Sequence, residues 1–577
     1  MKFFLTAVAG LCSAFSLYAQ SYKITWGDEL KLKKGTTDID VVAADNTGIY
    51  FTEERLKMKS YFVVGATYGT ANKLFKLDKN FNEVFDKDYK KELKGYDFHS
   101  FQMLDKDLFL FATDYSKKEK MFKVYASKID RNSGDLIGDF TEFGSYQLES
   151  KRDNYDMKVS SIRNGKSFLS VTNISGKEKV SLGISVLDKN LVKQQNTVIE
   201  IPIDPGTYGL QDVQLTSGNK IVVLGKEFEE TVIKKKKKRM VFKQYLMSIF
   251  NDKGRKEKDI NLGSGDKFII GGKLIESPTG EMLLAGFYSN NAKKDDLNGF
   301  FINKIDPEKG ELKLSSYKEI NASMLGKSFV DPSDEDDEIK DSKKDKQKSK
   351  EDDDADDFPN SFLIRSVDIN PADNSIIITS EVSQYSYYTY TTSQYNSMSK
   401  TWTYTTHYVH SFTNQDILVI NSDKDGNIKW MNDVPKSQLE EIRTSGNSYG
   451  SGIYFASDFS SYFADAGGMP FYSSYASFLN NNSLILLLND HASNTAIAGY
   501  GDKVKRIYNF RKKSNAYGIS IDLATGKMTK KFVAENSNEA VLMPRHGLVV
   551  GNDVFIPSWR MHAMAKTELK FAKVSVK

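Results

Sequence analysis

An apolar run follows a tight-turn signal eight times along this chain, at a period of roughly 60 residues, and this repetition constrains the fold most strongly. The turns are rich in Asp, Asn and Gly, which reverse a chain tightly. Each run is therefore predicted to be the second arm of a β-hairpin. The runs begin at Ile49, Leu108, Phe168, Ile221, Met282, Ile376, Leu484 and Val554.

A second signature follows the runs, in which an alternating strand ends in an acidic or amide residue that is often followed by glycine. Examples are Asp130 with Gly134 and Asp306 with Gly310. The side chain caps the turn, and glycine supplies the positive φ. Strand, turn, strand, acidic turn, strand is the plan of a four-stranded propeller blade. Because one blade cannot bury both faces of its sheet, the repeats are expected to stack around an axis.

The two ends of the chain predict how such a ring closes. After the eighth run one strand remains, Leu569–Val576, so the last blade lacks its outermost strand. The segment Tyr22–Lys33 precedes the first hairpin and is expected to pair with it, which removes two exposed edges. The sequence therefore predicts an all-β fold, a closed β-propeller of eight blades with seven as the alternative. The ring is closed by N- and C-terminal strands.

The first residues predict export to the periplasm or the cell exterior. Residues 1–19 resemble a signal peptide, with an apolar stretch too short to span a membrane and a cut after Ala19. Cys12 is the only cysteine, and Leu11 before it disfavours lipidation. Residues 20–577 are then one cysteine-free propeller domain that does not span a membrane.

Charge is nearly balanced overall but segregated locally. The net charge is +4, from 80 basic and 76 acidic residues, so no nucleic-acid partner is expected. The basic run Lys234–Arg239 falls where a hairpin loop belongs, and is interpreted either as a solvated loop or as a contact for acidic glycans. Residues 331–358 form a charged insertion whose part Asp334–Asp357 has no aromatic side chain, and this composition predicts disorder.

Residues 385–412 are unusually rich in tyrosine amid Thr, Ser and Gln, and predict a hairpin that extends beyond its blade. Two interpretations stay open. The rings form a structural cross-strand ladder, or they form a surface for an envelope protein or a glycan. The candidate ligand-binding residues are Tyr387, Tyr390, Trp402, Tyr404 and Tyr408.

The best local metal motif starts at Asn421 and matches the first eight positions of a calcium loop. Its candidate Ca²⁺ ligands are Asn421, Asp423 and Asp425. Position twelve is Asn432 rather than Glu, and strands are expected to flank the loop. A structural turn is therefore the competing interpretation, and no other cofactor is predicted.

No catalytic residue is predicted. Ser448 lies in a Gly-x-Ser-x-Gly pattern at 446–450, but such a nucleophile needs a strand-to-helix turn of an α/β sheet. The surrounding sequence is glycine-rich and aromatic, and two further blades follow it. This context favours a non-catalytic chain.

Two blade turns, Asp522–Lys527 and Gly426–Trp430, resemble the quinoprotein-type propeller repeat, in which Asp, Gly and Trp mark the turn. The resemblance covers the turns only, as in secreted propellers with PQQ-like or WD40-like repeats. It implies the eight-bladed class, which includes quinone-dependent dehydrogenases and non-catalytic outer-membrane assembly scaffolds. The quinone cofactor is not carried over, because the mature chain has no cysteine pair and most blades lack the tryptophan.

The function expected from the sequence is an exported, non-catalytic propeller that acts as a binding or scaffold module for an envelope protein or glycan. The alternative is a hydrolase or lyase that acts on a glycan or peptide at the axial channel, where carboxylates of several blades converge. The sequence carries no signal for the oligomeric state.

Overall fold

The computed structural model of the chain consists almost entirely of antiparallel β-strands. The described residues are 21–34, 36–59, 65–148, 155–162, 165–176, 178–233, 237–263, 266–290, 297–320, 362–398, 400–445, 462, 469–499, 502–537, 540–560 and 566–577. The predicted signal peptide, the charged insertion at 331–358 and Ser448 lie outside them.

The strands form eight antiparallel sheets within the described residues, numbered here from sheet 1 to sheet 8. Two short strands precede sheet 1: β1 (Tyr22–Trp26) and β2 (Leu30–Lys34). Sheet 1 contains β3 (Thr36–Asp45), β4 (Gly48–Lys59), β5 (Gly65–Asp78) and β6 (Glu83–Asp88). Sheet 2 contains β7 (Asp97–Leu104), β8 (Asp107–Ser116), β9 (Met121–Ile129) and β10 (Leu136–Gln147). Sheet 3 contains β11 (Met157–Ile162), β12 (Ser167–Asn173), β13 (Val180–Asp188) and β14 (Lys193–Ile201).

Sheet 4 contains β15 (Tyr208–Leu215), β16 (Ile221–Ile233), β17 (Lys237–Phe250) and β18 (Lys256–Asn261). Sheet 5 contains β19 (Phe268–Glu276), β20 (Met282–Ser289), β21 (Gly299–Asp306) and β22 (Glu311–Glu319). Sheet 6 contains β23 (Phe362–Ile369), β24 (Ile376–Asn396), β25 (Thr401–Ser422), β26 (Ile428–Val434) and β27 (Gln438–Ser445).

Sheet 7 contains β28 (Tyr475–Asn480), β29 (Ser483–His491), β30 (Ser514–Asp522) and β31 (Met528–Glu535). Sheet 8 combines β32 (Leu548–Val550), β33 (Asp553–Arg560) and β34 (Lys566–Val576) with β1 and β2. Within the described residues, helical structure is limited to single turns at Pro205–Thr207, Phe510–Lys513 and Pro544–His546. None of the described helices has the length and apolar character that a membrane-crossing helix needs.

Each apolar run found in the sequence is the second strand of one sheet. In β12 and β20 almost every side chain is buried, on both faces of the strand. A strand is buried on both faces only when its sheet has a packed neighbour on each side, which explains why these runs are continuous rather than alternating.

The acidic turns occur between the third and fourth strands of sheets 1 to 7. In the turn of sheet 1, Asp78 accepts hydrogen bonds from the backbone N–H groups of Asn80 and Asn82, at 2.7 and 2.9 Å. In sheet 2, Asp130 accepts from two backbone N–H groups, and Gly134 adopts a φ of 77°. The carboxylates therefore cap turns, as the repeat pattern predicts.

The core is divided into clusters that each join two sheets. Sheets 1 and 2, 2 and 3, and so on to 7 and 8 share one cluster per pair. An eighth cluster joins sheet 8 to sheet 1, and in it the rings of Phe51 and Phe571 lie 5.2 Å apart. Every sheet thus packs against two others, which is a propeller-like arrangement.

The predicted pairing between the ends of the chain is present. In sheet 8, β1 pairs antiparallel with β34 from Tyr22 opposite Val576 to Trp26 opposite Ala572. The short strand β2 continues along β34, with Leu30 opposite Leu569. The outer strand of the last sheet is therefore supplied by the N-terminal segment.

We predict that Phe571→Ala lowers the free energy of unfolding by about 3–5 kcal/mol, because it opens a cavity where sheet 8 meets sheet 1. The matched control is Phe532→Ala on the outer strand of sheet 7, whose side chain is 56% exposed and should cost less than about 1 kcal/mol. Urea denaturation measures both. Equal effects of the two substitutions would contradict the packing described here.

Candidate binding surface

The candidate site is an extension of sheet 6, called here the aromatic extension: Ser383–Asn396, Thr401–Asn414 and β27. The first two segments pair as a hairpin from Ser383 opposite Asn414 out to Asn396 opposite Thr401. On the other side of β25, β27 pairs with residues 407–414. The hairpin is thus a three-stranded sheet near its base and two-stranded at its tip.

The alternation of side chains divides the aromatic residues between two faces. The first face carries four of the five candidate ligand-binding residues, Tyr387, Trp402, Tyr404 and Tyr408. The second face carries the fifth, Tyr390, opposite His407. The five residues therefore lie on one hairpin but do not form one surface.

Both interpretations of the tyrosine-rich segment have a counterpart in the geometry. The rings of Tyr395 and Trp402 pair across the strands at 5.2 Å, and those of Tyr390 and His407 stack at 4.7 Å. Yet Tyr404 remains 70% exposed and Trp402 57% exposed. The cross-strand ladder leaves much of its aromatic surface in contact with solvent.

The ladder becomes buried toward the sheet. The hydroxyl of Tyr385 lies 2.9 Å from Nδ1 of His410, and Phe412 is buried beside them. Burial lowers the pKa of His410, so this imidazole favours its neutral form at neutral pH. The exposed part of the hairpin is thereby continuous with the core.

The strand β27 was not expected from the sequence, because its residues do not alternate between apolar and polar. Its position is fixed by hydrogen bonds instead. The Glu440 carboxylate accepts from the backbone N–H groups of Phe471, Tyr472 and Ser473 at 2.8 to 2.9 Å. These bonds clamp β27 to a neighbouring loop and stiffen the base of the aromatic extension.

A buried ion cluster lies under the same base. Glu381 is fully buried and pairs with Arg365 and with Lys436, whose Nζ is 2.6 Å from Oε1. The hydroxyl of Ser474 donates to Oε2 at 2.6 Å. Burial alone would raise the pKa of Glu381, but the two cationic partners and the hydrogen bonds lower it to about 2.

Two of the three candidate calcium ligands, Asn421 and Asp423, make side-chain hydrogen bonds within the protein. Asn421 is buried, and its amide nitrogen donates to the carbonyl oxygen of Leu523 in sheet 7. The Asp423 carboxylate accepts from the backbone N–H groups of Asp425 and Asn427 and from the amide of Asn427. The described residues contain no cluster of three or more His, Cys, Asp or Glu suited to a metal ion.

A polar cavity of about 580 Å³ lies where the first strands of sheets 3 to 6 converge. In β15, which contributes Gln214 and Leu215 to the cavity wall, burial raises the pKa of the Asp212 carboxyl, while the Gln214 hydrogen bond and the charges of Lys158 and Lys273 oppose the rise. Lys273 donates to the carbonyl oxygen of Arg365 at 2.6 Å, and burial lowers its pKa. Lys158 donates to the carbonyl oxygen of Tyr462, and its Nζ lies 4.5 Å from the centre of the Tyr462 ring. Lys158, Asp212 and Lys273 of three different sheets thus lie close enough to interact electrostatically, which linear motifs could not reveal.

Neither a protein-family model nor a curated protein matches the chain. Among solved structures it is similar to a polysaccharide lyase, Uly1, at 8% identity and a TM-score of 0.33, covering 94% of this chain and 99% of that chain. It is also similar to a variant of the Synechocystis apocarotenoid oxygenase at 10% identity and a TM-score of 0.33, covering 90% of this chain and 94% of that one. Likeness at this level says nothing about the activity of this chain.

We predict that Glu381→Gln lowers the free energy of unfolding by about 3–5 kcal/mol, because it leaves buried cations without their carboxylate. The lowered pKa of Glu381 stabilises the parent fully above about pH 4.5, and this contribution is lost as the pH falls toward 2. The variant should therefore lose less stability than the parent over that range.

The control for this prediction is Glu200→Gln. Glu200 pairs with Lys179 at 2.6 Å, but both side chains are largely solvent-exposed, so its loss should cost less than about 1 kcal/mol. Denaturant titrations at several pH values measure all three proteins. If Glu381→Gln lost as much unfolding free energy as the parent when the pH falls from about 4.5 to 2, the stabilising role of the buried ion cluster would be refuted.

Proposed function

We propose that this chain is an exported, non-catalytic propeller that acts as a binding or scaffold module of the cell envelope through its aromatic extension. The single observation that carries the proposal is the exposed aromatic surface of that extension, held on a stiff, buried base. Export to the periplasm or the exterior is part of the proposal and depends on the leader at residues 1–19.

The architecture proposed is one closed ring of eight blades, with sheets 1 to 8 as the blades. Two observations support it. The core clusters join each sheet to the next and sheet 8 to sheet 1, and the terminal strands pair within sheet 8. In addition, one cavity is lined by the first strands of four successive sheets, which is the arrangement around a propeller axis.

The composition of the aromatic extension supports a glycan as the bound partner. Tyrosine and tryptophan present an apolar ring with a polar tip, and a sugar ring presents apolar C–H faces between hydroxyl groups. Thr and Ser side chains surround the rings along both strands and supply hydrogen bonds. A protein partner remains the other outcome, because Trp and Tyr also dominate protein interfaces.

The second candidate function is a hydrolase or lyase at the axial cavity. The observation that favours it is that Asp212, with its raised pKa, and Lys273, with its lowered pKa, interact electrostatically and lie on two of the strands that line a cavity of sufficient size. Groups with shifted pKa values in a cleft are candidates for proton transfer. The same groups also serve as buried structural polar contacts, and Asp212 accepts from the backbone N–H of Val213 and the amide of Gln214.

We predict that replacing Tyr390, Trp402 and Tyr404 together with serine weakens capture of envelope polysaccharide at least about tenfold, because exposed aromatic contacts carry much of such binding energy. Affinity electrophoresis with purified polysaccharides measures it. The control replaces Ile137, Leu312 and Phe532, three exposed apolar residues on other sheets, with serine. If the aromatic variant binds like the parent but melts several degrees lower, the ladder is only structural.

We also predict that the purified chain releases no new reducing ends or unsaturated products from acidic or neutral polysaccharides. The parent and an Asp212→Asn variant should give the same blank trace by ultraviolet absorbance and reducing-end assay. A signal in the parent that Asp212→Asn removes would establish the axial cavity as catalytic and replace the proposal of a non-catalytic module.

A further inference from the structure

A cleft of about 280 Å³ adjoins the aromatic extension, between β27 and the segment that contains the short helix Phe510–Lys513. Its lining includes Arg443 from β27 and Tyr508 and Arg511 from the facing segment. Backbone hydrogen bonds join the two walls, since Leu439 N–H donates to the Ile507 carbonyl at 2.8 Å. The cleft is therefore a built part of the fold.

The facing segment is strongly basic. Between Asp502 and Lys513 it carries six basic residues and one acidic residue. Lys513 is held against Tyr508, with Nζ 2.8 Å from the hydroxyl oxygen. Among the described residues, no acidic side chain forms a salt bridge with Arg511, and no group accepts a hydrogen bond from its guanidinium. The cleft thus presents a cation that its own wall does not neutralise.

The acidic groups of the cleft are already engaged. The carboxylate of Glu440 is buried and accepts the three backbone N–H groups described above. Glu441 pairs with Arg443 and also accepts from the Tyr388 hydroxyl at 3.1 Å. This pairing orients the Arg443 guanidinium without burying it, because its side chain remains 58% exposed.

The cleft continues onto the second face of the aromatic extension. Tyr388, Val409 and Arg443 lie in one row across β24, β25 and β27. Tyr390, His407 and Ser445 form the next row on the same face of these strands. Exposed tyrosine rings and guanidinium groups therefore share one continuous surface that runs from the hairpin into the cleft.

We propose that this surface binds an acidic polysaccharide, with Arg443 and Arg511 holding its carboxylate or sulfate groups and Tyr388, Tyr390 and Tyr508 packing against its sugar rings. Arginine suits this role because its planar fork matches a carboxylate or sulfate. The inference rests on the proposed binding function and adds the charge class of the glycan. A neutral polymer would leave the Arg511 guanidinium without a counter-charge.

The test is binding of the full mature chain to polygalacturonate, heparin and dextran, measured by affinity electrophoresis and by calorimetry. The parent should bind the two acidic polymers and not dextran, with binding that weakens as salt is raised. The variant Arg443→Gln/Arg511→Gln should lose about tenfold or more in affinity for polygalacturonate. Its melting temperature should stay near that of the parent, because both side chains lie at the surface of the cleft.

Two controls separate this cleft from other basic surfaces. Lys253→Gln/Arg255→Gln removes the same charge from an exposed turn of sheet 4 and should bind like the parent. A variant with Lys237, Lys238 and Arg239 changed to Gln tests the basic hairpin run, and it should also retain binding. Loss in either control together with retention in the cleft variant would overturn the inference.

Three further outcomes would also overturn it: equal binding of dextran, equally tight binding of a duplex DNA oligonucleotide of matched charge, or no binding of any polymer. The first would leave the proposed function intact if the aromatic triple-serine variant loses dextran. If no polymer binds, the proposed binding function would require a protein partner. In that case the parent should bind a purified envelope protein that the triple-serine variant does not bind.

Discussion

The packing of every sheet against two neighbours is the constraint on which the rest of this structure depends. A four-stranded sheet with apolar second strands exposes two faces, and each face is covered by the sheet that precedes or follows it. One face of sheet 8 must therefore be covered by sheet 1, and the contact between Phe571 and Phe51 lies in that interface. The C-terminal strands of sheet 8 lack an outer strand, and the N-terminal segment supplies it.

The proposed function sits outside this repetitive core. The apolar second strands and the core clusters occur in every sheet. Among the described residues, only sheet 6 extends its middle hairpin into an aromatic surface with a third strand beside it. The cost of fixing that surface is offset at its base, where Glu381 and Glu440 satisfy buried cations and backbone N–H groups. A rigid base lets exposed aromatic rings keep one geometry for a partner.

The sequence predicted the repeated parts of the fold well, because they depend on local chemistry. Turn residues and apolar runs marked each second strand, and the acidic turns marked the step from third to fourth strand. The sequence also predicted the hairpin at 385–412, because aromatic residues alternate with Thr and Ser along its two strands and the residues between the strands are polar. The sequence did not reveal β27, whose place depends on the Glu440 contacts from a distant loop.

The sequence also did not predict which charged groups come together near the cavity strands and in the cleft beside β27. Lys158, Asp212 and Lys273 come from three different sheets, and Arg443 and Arg511 lie on opposite walls of a cleft. No linear spacing relates such residues. In the calcium motif, the Asn421 amide nitrogen binds the next sheet and the Asp423 carboxylate caps the turn, contacts that the spacing of the motif did not predict.

The account depends most directly on the pairing of the two ends of the chain. Trp26 and Ala572 are opposite each other and do not exchange backbone hydrogen bonds, a geometry that brings their Cα atoms within disulfide range. Because Cys12 in the predicted leader is the only cysteine, Trp26→Cys/Ala572→Cys in the mature chain gives a clean test. The account predicts rapid intramolecular cross-linking on mild oxidation. Trp26→Cys/Val549→Cys, at the far edge of the same sheet, should not cross-link. Absence of the first cross-link in the folded protein, or equal formation of both, would contradict it.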